Sequence, residues 1–288
     1  MSDDYQRLLT ATIDHLEILK SRGTNYVIVD SATLSSLSQP KRFAPAVSSQ
    51  AVRSNAAIEK VPAPEQPEII TSLSKISVAT PEKQIAFTEL KNRAMACVKC
   101  PNLARTRKNV VFGVGDIDSP LLFVGEAPGA DEDEQGEPFV GAAGQLLTRI
   151  IKAMGFSREN VYIANILKCR PDMPQGSSGN RKPTTDEMKT CLPYLLEQID
   201  IIKPSVIVAL GATAVEGLFG KSALGITKQR GKWMSFRDTP LMPTFHPAYL
   251  LRNQALSEKR KVWEDMLQVL EKLGASISEK QRNYFLKA

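Results

Sequence analysis

GEAPGADEDEQGEPFVGAAGQLL, residues 125–147, follows directly on the apolar run Leu121, Leu122, Phe123 and Val124. A short apolar run that stops at Gly and Pro reads as a buried strand handing over to a loop. The loop is rich in reactive side chains. Asp131, Glu132, Asp133, Glu134 and Glu137 crowd together, Phe139 sits between Pro138 and Val140, and Gly141 and Gly144 open a helical pattern of Leu146, Leu147, Ile150 and Ile151. In an open parallel sheet, ligands bind in loops beyond the carboxyl ends of the strands. Taken alone, the acids fit a solvated loop equally well, so their neighbours must decide.

Working outward, three further apolar runs of strand length occupy residues 161–164, 206–210 and 241–245. Helical patterns at 81–95, 144–154, 185–202, 213–217 and 258–273 alternate with them. Four strands separated by helices predict an α/β domain in three layers, α/β/α, around a four-stranded parallel sheet. This domain is expected over residues 81–273, with 274–288 as a C-terminal tail. Ahead of it, residues 1–30 carry a helical spacing (Leu8, Leu9, Ile13, Leu16, Leu19), read as a solvated extension or as a docking element for a protein partner. Residues 31–80 are rich in Pro, Ser and Ala and are expected to be a disordered linker.

The chain has 288 residues, 42% hydrophobic and 24% charged, with a net charge of +6. These values fit a globular protein, and a mildly basic balance suits a polyanionic partner without identifying one. The N-terminus has no apolar secretory core, and no stretch approaches the length of a membrane span. A cytoplasmic or nucleoid location and a monomer are expected, in which four cysteines stay reduced.

Those four are Cys97 and Cys100, a C-x-x-C before Pro101, and the single Cys169 and Cys191. Their pattern suggests one four-thiolate metal site, either zinc or iron-sulfur, that would pin two long loops together. A second constellation gathers at predicted strand ends: Glu126 after the first strand, Asn165 after the second, and His246 at the head of HPAYLLR, with Phe139 between them. An aromatic face, an amide edge and an imidazole suit the reading of a flat heterocycle. Leu250 and Leu251 before Arg252 are read as a wedge into stacked bases with an arginine on a phosphate. Basic residues at 105, 107, 108, 168, 170, 181, 182, 228, 230 and 232 would add salt-dependent backbone contacts. A non-catalytic nucleic-acid-binding module built on a four-cysteine zinc site is the rival reading, and it leaves the convergence of Phe139, Asn165 and His246 without a purpose.

The stretch 125–147, NILKCRP, NRKP (residues 180–183) and HPAYLLR, together with the four cysteines in order, closely resemble the iron-sulfur, or family 4, uracil-DNA glycosylases. The resemblance spans about residues 87–273. It implies the uracil-DNA glycosylase fold and a 4Fe-4S cluster on Cys97, Cys100, Cys169 and Cys191. It also implies hydrolysis of the N-glycosidic bond of uracil in DNA, the first step of base excision repair. By the same resemblance Phe139 stacks on the uracil, Asn165 reads its Watson-Crick edge, and His246 contacts the oxygen on which charge develops. Glu126 and Ala127 then line the pocket through their backbone, while Glu132, with Asn180, is linked to the catalytic water.

Overall fold

The computed structural model describes residues 80–173, 179–221 and 224–286. The expected N-terminal helix and nearly all of the linker lie outside them. Within the described residues no helix is long and apolar enough to cross a membrane.

The domain opens with α1 (Pro81–Met95), started by Thr80, whose hydroxyl accepts from the N–H of Lys83, with Pro81 in the first turn where no backbone donor is needed. The short α2 (Pro101–Thr106) follows the C-x-x-C. Then come β1 (Val114–Gly115), β2 (Leu121–Gly125), α3 (Ala130–Gln135), α4 (Ala142–Ala153) and β3 (Tyr162–Asn165). After β3 the chain forms α5 (Thr185–Ile202), β4 (Val206–Leu210), α6 (Ala212–Phe219), α7 (Ile226–Gln229), β5 (Met234–Phe236) and β6 (Thr239–Thr244). It ends with α8 (Pro247–Arg252), α9 (Leu256–Lys272) and α10 (Glu279–Arg282).

The sheet order is β1-β3-β2-β4-β6-β5. β3, β2, β4 and β6 are mutually parallel, whereas β1 and β5 pair antiparallel at the two edges. The sheet is therefore mixed and six-stranded, which corrects the expected four-stranded parallel sheet. The two additional strands are only two and three residues long, too short to leave a periodic signal in the sequence.

Alternate residues of the central strands feed two separate cores. Leu122, Val124, Tyr162, Ala164, Ile207 and Ala209 pack with α1, α5 and α6 on one face. Leu121, Phe123, Ile163, Val206, Val208 and Met242 pack with α4 and α9 on the other. Burial on both faces is why these strands read as continuous apolar runs rather than alternating ones.

From β2 the chain runs to β3 on one side and then crosses to β4 on the other. The loops beyond the ends of β2 and β4 thus flank a switch in strand order, the place where an open sheet leaves a crevice. Past the strand ends, the N–H groups of Ile166 and Leu167 donate to the carbonyls of Gly125 and Glu126 at 3.0 and 3.1 Å. This extension holds the two loops in fixed register.

The last residues return to the body. Trp263 Nε1 donates to the carbonyl of Gln281 at 2.5 Å, Gln281 Nε2 donates to that of Ala153 at 2.9 Å, and the Tyr284 ring lies 5.2 Å from Trp263. Ending the chain at Gly274 removes an aromatic pair and several hydrogen bonds, together about 2–3 kcal/mol. A fall in Tm of roughly 5–10 °C is expected in thermal unfolding.

Candidate functional site

Gly125, the last residue of β2, is a point of close approach between two loops. A Cβ here would collide with Asn165 Oδ1 and with the Phe139 ring at Cζ and Cε2, so the amide and the ring meet over a single backbone position. Phe139 is buried and has φ 54°, a left-handed conformation that an aromatic residue rarely adopts. Its strained turn is fixed from two sides. Arg158 Nη1 donates to the Phe139 carbonyl at 3.0 Å and Nη2 to that of Pro138 at 2.7 Å, while Gly144 lets the same peptide pack directly on its Cα.

Asn165 ends β3 and is 2% exposed. Its Oδ1 is the one buried side-chain polar atom among the described residues with no hydrogen-bond partner. An orphaned acceptor in a core costs about 1–3 kcal/mol, so its retention calls for an explanation.

His246 follows β6 and caps α8, its Nδ1 accepting from the N–H of Ala248 at 3.1 Å. With Nδ1 acting as an acceptor, the proton of the neutral ring sits on Nε2, which is left to donate to a ligand. The ring stands 5.6 Å from the Phe139 ring, tilted by 30°. Burial pushes the His246 pKa down to about 4, the Arg252 charge adds to the fall, and Glu132 opposes it. Gly211, after β4, packs against His246 Cβ, so all four parallel strands contribute to this edge.

The acidic run resolves into distinct roles. Glu132 accepts three backbone N–H groups: Gly129 on Oε2 at 3.1 Å, and Val140 and Gly141 on Oε1 at 3.0 Å each. One carboxylate thereby joins both ends of the 129–141 loop. Asp133 is buried and accepts from the N–H groups of Lys108 and Asn109. Glu134 pairs with Lys108 at the surface. Asn180 stands at the rim, where a Cβ on Gly129 would lie 2.7 Å from Glu132 Oε2 and 3.1 Å from Asn180 Nδ2. Arg170 Nε donates to Asn180 Oδ1 at 3.3 Å and keeps the amide in place. Ala127 is partly buried against the core, and Glu126 is partly exposed beside it.

The expected leucine wedge requires correction. Leu250 is 4% exposed and packs with Phe245 and Val262. The short helix α8 turns it inward, leaving Leu251 partly exposed and Arg252 exposed.

Much of the expected basic surface is likewise engaged inside the protein. Lys168 is buried, Arg230 pairs with the fully buried Asp265, Arg181 forks between Asp172 and Glu187, and Lys182 pairs with Glu216. Arg105, Lys228, Lys232 and Arg252 stay exposed with no ion pair among the described residues.

Cys97, Cys100, Cys169 and Cys191 line one small cavity together with Leu103, Arg107, Leu167 and Thr190. All four thiols are free. Arg107 Nη1 donates to Cys169 Sγ at 3.1 Å and the Lys168 N–H to Cys191 Sγ at 3.2 Å. Burial raises the pKa of Cys100, Cys169 and Cys191, the last to about 11. Among the described residues, no three His, Cys, Asp or Glu side chains are gathered tightly enough to hold one ion.

Sequence reasoning missed Gly125, Gly144, Arg158, Arg107 and Lys168 as parts of this architecture. Gly125 had a signal, since a glycine closing a buried strand often marks a close approach. Arg158 had none, because nothing local distinguishes it from a surface arginine.

The family model for the Uracil DNA glycosylase superfamily matches residues 112–267, over half of the chain. A Type-4 uracil-DNA glycosylase of Thermotoga maritima is 47% identical over 177 residues, 60% of this chain and 88% of the relative. Those of Sulfurisphaera tokodaii and Pyrobaculum aerophilum are 41% and 46% identical, over 70% and 56% of this chain and 90% and 82% of their own. Identity of this order, carried over most of each relative and over the strands that build the pocket, places the chain among the type-4 members of the uracil DNA glycosylase superfamily.

Proposed function

We propose that this protein binds uracil-containing DNA and hydrolyses the N-glycosidic bond of uracil, leaving an abasic site as the first step of base excision repair. The observation that carries this reading is the unpartnered Oδ1 of Asn165, buried against the Phe139 ring over Gly125. An everted uracil offers an N3–H donor beside the O4 acceptor, and the primary amide of Asn165 presents the matching acceptor and donor. Cytosine presents the opposite order and would leave the amide mispaired. Phe139 supplies the stacking face.

As the glycosidic bond breaks, the sugar gains positive and the uracil negative charge. The neutral His246 is preorganised to donate its Nε2–H to the uracil O2. Such a donor contributes about 3–4 kcal/mol because it need not reorient during the reaction. Glu132 holds the loop through three N–H groups, and its charge favours the cationic sugar. Beside it, Asn180 orients the water that captures the sugar, with Ala127 providing no acid for that step. Everting the base costs a few kcal/mol, and the partly exposed Leu251 with the exposed Arg252, at the end of α8, would hold the opened duplex.

The donor set of four thiols around one cavity, with two N–H groups already aimed at sulfur, fits an iron-sulfur cluster. We therefore assign Cys97, Cys100, Cys169 and Cys191 to a 4Fe-4S cluster. When bound, it would cross-link the 97–107 and 169–191 segments and could exchange electrons.

Three outcomes are expected. An oligonucleotide with one uracil, cut with alkali after incubation, should be cleaved where a thymine control is not. In that assay His246→Ala should lower the single-turnover rate about 10²- to 10³-fold with little change in affinity for an abasic duplex. Asn165→Asp should lower it about 10- to 100-fold and erode the preference for uracil over cytosine.

The chain has two histidines, so its 15N-histidine spectrum is simple. The His246 ring should remain in the neutral Nε2–H form down to about pH 5. Because its folded pKa lies below the unfolded value, stability from this group is retained above about pH 6.5 and falls as pH drops toward 4.

The purified protein should show broad absorption near about 400 nm that bleaches on iron chelation. A colourless, zinc-containing protein would overturn the cluster assignment.

A further inference from the structure

Lys168 is the one buried lysine among the described residues, and it forms no ion pair with a carboxylate there. A cation taken out of water without a counter-charge is costly, so its surroundings must account for it. Its Nζ donates to the backbone carbonyl of Asn165 at 3.0 Å and to Gln198 Oε1 at 2.6 Å, and lies 5.8 Å from the centre of the Phe112 ring. Gln198, fully buried on α5, is fixed in turn: its Nε2 donates to the Phe112 carbonyl and to the Tyr162 hydroxyl, both at 3.0 Å. The backbone of the same lysine faces the other way. Its N–H donates to Cys191 Sγ, and its carbonyl accepts from Val111 at 2.7 Å.

We propose that Lys168 is the positioning residue for Asn165, its ammonium fixing the peptide of the uracil-reading residue and tying it to the wall of the four-cysteine cavity. The inference rests on the reading of Asn165 given above. The pocket leaves little slack. Asn165 Oδ1 and the Phe139 ring already crowd Gly125, so a small rotation of the Asn165 peptide moves the amide off the uracil edge. Misplacement by about 1 Å in such a site costs up to 10²-fold in rate. Lys168 acts only through this peptide and does not itself touch the base.

The test is a double-mutant cycle in single-turnover uracil release. Lys168→Met keeps the stem and removes the donors, and a loss of about 10- to 100-fold is expected. In an Asn165→Ala background the same change should cost less than about twofold, because its effect runs through Asn165. Gln198→Leu, which frees the ammonium from its other anchor and leaves the backbone contact to Cys191 in place, should give a smaller loss with the same dependence and stands in if Lys168→Met does not fold. Iron content and the absorption near about 400 nm should be retained in both variants. The NMR signal of the Asn165 side-chain amide, identified by its disappearance in Asn165→Ala, should shift in both. An equal loss in the two backgrounds, a wild-type rate in Lys168→Met, or loss of iron from these variants would overturn the proposal. Should the wild-type protein release no uracil, the functional reading falls by itself, and an unmoved amide signal would remain the result that refutes the link from Lys168 to Asn165.

Discussion

The absence of a side chain at Gly125 is the constraint on which the pocket depends. Two loops leave the sheet beside each other, from β2 and β3, and they can bring a ring and an amide together only if the floor between them is bare backbone. The register of the parallel strands sets Gly125 opposite Asn165, and the ladder continues past them to Leu167. Convergence is thus a property of the sheet. The unusual backbone of Phe139 is its local consequence: to lay a phenyl ring over Gly125, the chain must adopt a positive φ. That strain, on the order of 1–3 kcal/mol, persists because Arg158 and Gly144 leave the peptide no alternative position.

Polar groups around the pocket fall into two classes by whether their bonds are complete. Glu132, Asp133 and Gln198 are saturated by protein donors or acceptors and act as rigid members. Among the described residues Asn165 Oδ1 has no partner, and the His246 Nε2–H is left over once Nδ1 caps α8. Completing a buried hydrogen bond through a ligand removes a penalty the protein already carries. On the proposed reading, a base that matches both leftover groups gains more than its contacts alone would supply. Selectivity follows from the same asymmetry, since a base of opposite polarity leaves the penalty in place and adds its own.

The parallel core of the sheet was legible because strands buried on both faces announce themselves as apolar runs, and 206–210 and 185–202 coincide with β4 and α5. The edge strands β1 and β5 were not, since two or three residues carry no period. Candidate site residues at strand ends were readable for a topological reason: in a parallel sheet all carboxyl ends share one edge, so Asn165 and His246 had to lie on the same side, with Phe139 between them. What could not be read was direction. Leu250 and Leu251 look identical in sequence, and only the turn of α8 sends one to the core and leaves the other at the surface. The basic residues failed for a similar cause, because the sequence shows a charge and conceals the carboxylate that the fold sets against it.

The four-cysteine cavity and Asn165 lie on one strand exit. Asn165 and Cys169 are four positions apart, and Lys168 touches the surroundings of both. A cross-link at the cysteines therefore restrains the same peptide segment that carries the Asn165 amide. Beyond Leu167 the chain leaves the sheet, and there Cys169 packs into the core while N–H···S, N–H···O and ammonium contacts hold the exit. Such contacts are short-range and directional, so they fix orientation where apolar packing would only fix burial. On the reading proposed for Asn165, telling uracil from cytosine by the order of one donor and one acceptor requires orientation above all. This gives a purpose to a polar strut at that place, costly as a buried cation is.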